Sequence, residues 1–71
     1  MNAFGYVVKK YLLDNNLKQN DIVENSTMTK ANVSQLINRD NISLDKMLLI
    51  ADALDCDLEI KLVPKSKSRH D

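Results

Sequence analysis

Between Lys30 and Gln35 the chain sets out an ammonium group (Lys30), two carboxamides (Asn32 and Gln35) and a hydroxyl (Ser34). The ammonium only donates hydrogen bonds, whereas the amides and the hydroxyl both donate and accept. Such a row matches the donor and acceptor pattern that base pairs show in a DNA major groove. Other chemistries lack the residues to build them. The single histidine, His70, lies near the end of the chain, and the single cysteine, Cys56, has no second cysteine or nearby histidine beside it. No glycine loop that would cradle a phosphate is present, and Asp52, Asp55 and Asp57 lack a calcium-loop spacing with its turn glycine. The residues therefore point to a protein that acts by binding: not an enzyme, with no metal and no cofactor.

To project outward, that row needs a helix anchored on its other side. Ile22, Val23, Met28, Val33, Leu36 and Ile37 recur at helical spacings, so Leu17 to Asn38 reads as a short helix, a turn and a second helix, each burying one stripe. Thr29 is placed to cap the second of these, its hydroxyl taking a free amide of the first turn. Lys18 or Gln19 stands at the head of the first, where backbone amides and the Gln19 side chain can meet a phosphate oxygen. The competing reading is an ordinary amphipathic helix pair with a solvated polar face.

This stretch resembles the helix-turn-helix of the phage repressor and Cro type, often called the xenobiotic-response-element family. The shared pattern runs through Gln19, Ile22, Val23, Met28, Thr29, Ala31, Val33 and Ser34, and then through Ser43, Leu44, Met47, Leu48, Ile50, Ala51, Ala53 and Leu54. The resemblance covers about Phe4 to Leu54. It implies base contacts from Lys30, Ala31 and Gln35, with Asn32 beside them as a further candidate. Lys30 would donate to guanine, Gln35 would bond adenine twice, and Ala31 would pack on a thymine methyl. It also implies phosphate contacts near Gln19, Ser34, Asn38 and the loop Arg39 to Asn41, to which Lys18 adds a cation. Three positions depart from the family pattern: Val23 replaces a small alanine, Thr27 the turn glycine, and Arg39 the glycine after the second helix. If Thr27 needed positive φ, the turn would be strained and reshaped.

The rest of the chain reads as support. Phe4, Val7, Val8, Tyr11 and Leu12 give a helical stripe over Asn2 to Asn15, with Asn2 as a cap and Tyr6 and Tyr11 as core or boundary packing. Asp14, Asn15 and Asn16 tolerate the left-handed end of that helix, and Asn38 or Asn41 suits the end of the one that begins at Lys30. Ser43 caps a further helix, Leu44 to about Leu54, expected to turn Leu44, Met47, Leu48, Ala51 and Leu54 inward. After Cys56 the period becomes two: Leu58, Ile60 and Leu62 alternate with Glu59 and Lys61, which reads as a strand over Asp57 to Val63 ended by Pro64. A lone strand leaves an open edge. Two copies about a two-fold axis through Ile60 would set Leu58 against Leu62 and Glu59 against Lys61, so these five residues are the expected dimer interface. The alternative is a strand folded back on the first helix.

The expected fold is thus mainly α: a compact four-helix domain over residues 1–56, a C-terminal β-strand over 57–63 that pairs across a homodimer, and a disordered basic tail over 64–71. With 71 residues and 44% hydrophobic content the core is real but thin. The formal net charge is zero, so any basic surface must come from segregation, with Asp52, Asp55, Asp57 and Glu59 late in the chain and Lys9, Lys10, Lys18, Lys30 and Arg39 earlier. Neither a membrane-length apolar run nor a signal-peptide pattern is present, which predicts a cytoplasmic protein with no membrane partner. The expected function is a sequence-specific, double-stranded DNA-binding transcriptional regulator, a dimeric repressor of a palindromic operator. The rival expectation is a protein-interaction module on the same fold, such as an antitoxin or a phage-borne inhibitor with a protein partner.

Overall fold

A computed structural model describes residues 1–65, in which four α-helices pack around one core. They are α1 (Ala3–Asp14), α2 (Gln19–Glu24), α3 (Lys30–Asn38) and α4 (Leu44–Ala53). Three of them open on a side-chain cap: Asn2 accepts from Gly5 N, Thr29 from Asn32 N and Ser43 from Lys46 N. At the head of α2 the Lys18 N–H instead donates to the Asp21 carboxylate at 2.8 Å. Each cap satisfies an amide that the helix itself leaves without a partner.

α1 and α4 both end on a residue in the left-handed region, Asn16 (φ 57°) and Asp55 (φ 58°). Leu17 N then bonds back to Leu12 O at 2.7 Å and Cys56 N to Ala51 O at 2.9 Å, closing the last turn of each helix. The end of α1 follows the sequence expectation. At the end of α3 neither Asn38 nor Asn41 is left-handed, and Arg39 simply becomes extended (φ −73°, ψ 163°). Thr27 has no positive φ either, so a β-branched residue sits in the α2–α3 turn without strain. That turn is held by Met28 N donating to Ser26 Oγ at 3.1 Å.

Val8, Leu12, Ile22, Val33, Leu36, Ile37, Ile50 and Ala53 form the core, with Phe4, Leu17, Val23, Met28, Ile42 and Leu54 packed against it. The inward stripes differ from expectation on α1 and α4. Val7 and Tyr6 are well exposed, with Tyr11 at the boundary, while Gly5 takes an inward position. On α4 the buried residues are Ile50, Ala51 and Ala53, whereas Leu44 and Leu48 face out. An apolar-rich helix has more candidates than a thin core can accept, and packing chooses among them.

The C-terminal strand is a correction. The described residues contain the four helices and no strand, and residues 57–63 make no backbone hydrogen bond with the rest of the described chain. Leu58 is half-buried and lines a cleft of about 230 Å³ between α1 and α4, together with Phe4, Val7, Tyr11 and Cys56. The neighbouring Cys56 thiol, which donates to Leu54 O at 3.4 Å, raises the phenol pKa of Tyr11 above its ordinary value. Beyond Leu58 the chain leaves the domain: Ile60, Leu62 and Val63 are 66%, 98% and 75% exposed. Alternation of apolar residues shows which side chains favour burial. It does not supply the ladder of backbone partners that makes a strand. The expected sheet between two copies falls with the strand. Of the expected basic tail, 66–71 with His70 lie outside the described residues, while Pro64 and Lys65 are exposed.

Candidate nucleic-acid interface

The outward row on α3 follows from what its other side buries. Val33 and Ile37 have no exposed surface and Leu36 almost none, and together they belong to the same core as Ile22 and Ile50. Each such side chain contributes roughly 1.5–3 kcal/mol as an upper figure, enough to fix the rotation of a helix of this length. At 100° per residue, Ala31, Gln35 and Asn38 then fall opposite the buried stripe, with Asn32 and Ser34 on its two flanks. Lys30 projects from the first turn, just after the Thr29 cap.

Lys30, Ala31, Asn32 and Gln35 are all exposed. Among the described residues the side chains of Lys30, Asn32 and Gln35 make no hydrogen bond or ion pair, so their donors and acceptors are open to a ligand. Asn38 and Ser34 are arranged differently. Asn38 Nδ2 donates to Ser34 O at 2.9 Å and lies 3.5 Å from its hydroxyl, so the Asn38 amide is already engaged along the helix and Ser34 is half-buried. Lys18, Arg39 and Asn41 are exposed and Gln19 is half-buried at the head of α2. One free amide at that helix head, Lys18 N–H, is taken by Asp21.

Asn32, Gln35 and Arg39 line one cleft of about 170 Å³ with Met28, Leu36 and Lys46. Lys46, in the first turn of α4, is a residue that sequence reasoning missed. Its signal was present: it follows the Ser43 cap directly after the loop from α3, where free amides and a cation can serve one phosphate. Neither Arg39 nor Lys46 forms an ion pair among the described residues. Acidic side chains gather elsewhere, with Asp21, Asp52 and Asp55 around a cleft between α2 and the far end of α4. Asp45 nonetheless precedes Lys46 in the first turn of α4, and from Lys18 to Lys46 the cations Lys18, Lys30, Arg39 and Lys46 are matched in number by Asp21, Glu24, Asp40 and Asp45. The geometry gives a polar reading face flanked by cations rather than a broadly basic surface. The five residues expected at a dimer interface form no such patch: Leu58 lies in the α1–α4 cleft, and Glu59, Ile60, Lys61 and Leu62 are exposed on the departing segment.

No helix among the described residues is long and apolar enough to cross a membrane. No curated protein and no solved structure is matched by the chain. The sequence pattern of a family described as a helix-turn-helix domain matches residues 3–63, which spans α1 to α4 and the segment that follows. The chain belongs to the helix-turn-helix domain family, and the general function that membership carries is DNA-binding regulation.

Proposed function

We propose that the protein is a sequence-specific regulator of double-stranded DNA, of the phage repressor and Cro type, with α3 lying in the major groove. Lys30, Ala31, Asn32 and Gln35 read base edges. Lys18, Gln19, Ser34, Asn38, Arg39, Asn41 and Lys46 hold the sugar-phosphate backbone. The observation that carries this reading is the free hydrogen-bonding capacity of Lys30, Asn32 and Gln35 on a helix whose opposite side is fully buried. Arg39 and Lys46 line one cleft with Asn32 and Gln35, which sets two cations beside the polar row where phosphates would flank the groove. The proposed site of action is the cytoplasm.

The regulator acts as a homodimer that represses from a palindromic operator, one α3 per half-site about one helical turn apart. Support for association comes from apolar surface that the monomer leaves uncovered: Leu48 and Leu49 on α4 are about half exposed, and Ile60 and Leu62 more so. Leu58, Glu59, Ile60, Lys61 and Leu62 are proposed to take part through their side chains. Selection of bound sites from a random duplex pool tests the whole reading. Enrichment of a symmetric site supports it, and recovery of no preferred sequence rejects it.

A second reading, a module that holds a protein partner, is favoured by the same uncovered apolar residues together with zero net charge. A neutral domain gains little from counterion release. Affinity for duplex that is lost only when a co-purifying protein is bound would show both activities in one chain.

A further inference from the structure

We infer that Asn2 is a positioning residue for the reading helix, holding the C-terminal end of α3 while it caps the start of α1. This inference rests on the proposal that α3 reads DNA. Asn2 is the buried polar side chain of the described structure, 8% exposed. Its Oδ1 accepts from Gly5 N at 2.6 Å, and its Nδ2 donates to Leu36 O at 2.9 Å and Arg39 O at 3.0 Å, with Ile37 O at 3.4 Å on the same nitrogen. One carboxamide thus serves the start of α1 and the end of α3, where Leu36 lies 34 residues along the chain from it.

The need for it lies in how α3 ends. The last carbonyls of a helix have no partner within it, and the usual remedy is a left-handed residue that turns the chain back over them. α1 and α4 use that remedy at Asn16 and Asp55, whereas α3 passes into extended Arg39 after Arg39 N bonds Gln35 O at 3.0 Å. The carbonyls of Leu36 and Ile37 would then point, unpaired, into the contact with α1. The Asn2 amide fills that role from outside. It also ties down the Arg39 carbonyl, the first residue of the loop that carries the candidate phosphate contacts Arg39 and Asn41. Gly5 lets the two backbones come this close, because a Cβ there would collide with the Ile37 carbonyl.

Only a side chain with both a donor and an acceptor at that reach meets the two demands. Asn2→Asp keeps an acceptor for Gly5 but places a carboxylate against carbonyl oxygens, and Asn2→Ser keeps a shorter cap without that repulsion. Ile50→Val, a one-methyl deletion on α4, serves as a control that lowers core stability while leaving the hydrogen bonds of Asn2 in place. The full chain and these variants are compared where each remains folded, by amide exchange at Asn38 to Asn41 and by the ratio of affinity for the selected duplex to that for a random one. The expected result is exchange at those amides at least about tenfold faster, and an affinity ratio reduced at least about tenfold, in Asn2→Ser and Asn2→Asp, with Ile50→Val near wild type in both. Should Asn2→Asp not fold, Asn2→Ser carries the comparison. Asn2 variants that match Ile50→Val in both readouts overturn the assignment. If wild type prefers no duplex, the DNA reading falls, and the exchange comparison alone decides the role of Asn2.

Discussion

The carbonyl oxygen of Ile37 occupies the space that a Cβ on Gly5 would need, so α1 and α3 meet backbone to backbone at that point. Alanine is ordinarily the better helix former by about 1 kcal/mol, which would make Gly5→Ala stabilising on an isolated helix. Here the obstruction is backbone and cannot rotate away, so overpacking should win and destabilise by about 1–3 kcal/mol. For a domain of this size that lowers Tm by about 4–8 °C for each kcal/mol. A thermal melt of Gly5→Ala at or above the wild-type Tm would show that the two helices do not approach so closely.

Arg39 and Lys46 share the cleft beside α3 but come from either side of a loop, so their effects on DNA should be alike and independent of sequence. Replacing either with Ala should weaken selected and random duplexes equally and reduce the slope of log affinity against log salt by about 1. Binding to both duplexes is measured from low to moderate salt. A variant that loses only the selected duplex would mean that the residue reads bases instead.

Thr29 accepts from Asn32 N at 3.1 Å at the start of the reading helix. Thr29→Ala should cost about 0.5–2 kcal/mol of stability by denaturant titration, with Thr29→Ser close to wild type. Equal loss in both variants would locate the effect in the methyl group rather than in the cap.

The helices, their caps and the outward row on α3 were legible in the sequence because each depends on neighbours a few residues away. Asn2, Thr29 and Ser43 announce helix starts, and Val33, Leu36 and Ile37 declare the buried side of α3. What stayed hidden depends on distant chain. Nothing near Asn38 shows that the cap of α3 is supplied by Asn2, and only the path of the loop between α3 and α4 shows that Lys46 shares a cleft with Arg39. Alternation from Leu58 to Leu62 suggests a strand for the opposite reason. The local pattern was clear, yet a strand requires a partner, and the chain provides none among the described residues. On α1 and α4, apolar residues outnumber the places in the core, so Val7, Leu44 and Leu48 fit an inward stripe by spacing yet lie outside.

Ile60 and Leu62 are exposed on the segment after α4, and their burial is the proposed source of association. The double variant Ile60→Asp, Leu62→Asp should sediment as a monomer at concentrations where wild type is a dimer, with the melting curve of the helical domain little changed. Loss of dimer should also lower affinity for a full palindrome while leaving that for a single half-site unchanged. A dimer that persists in the double variant would place the interface on other residues.

The central claim is that α3 reads base pairs through its outward side chains, and Gln35 tests it most directly because it is exposed, lies opposite the buried stripe and its side chain makes no hydrogen bond among the described residues. Selection from a random duplex pool is run in parallel with wild type and Gln35→Ala. The account predicts that wild type enriches a defined site, and that the variant enriches the same site with relaxed preference at one base pair per half-site and an affinity lower by about 1–3 kcal/mol. Identical sites and affinities for the two proteins, or no enrichment by either, would contradict it.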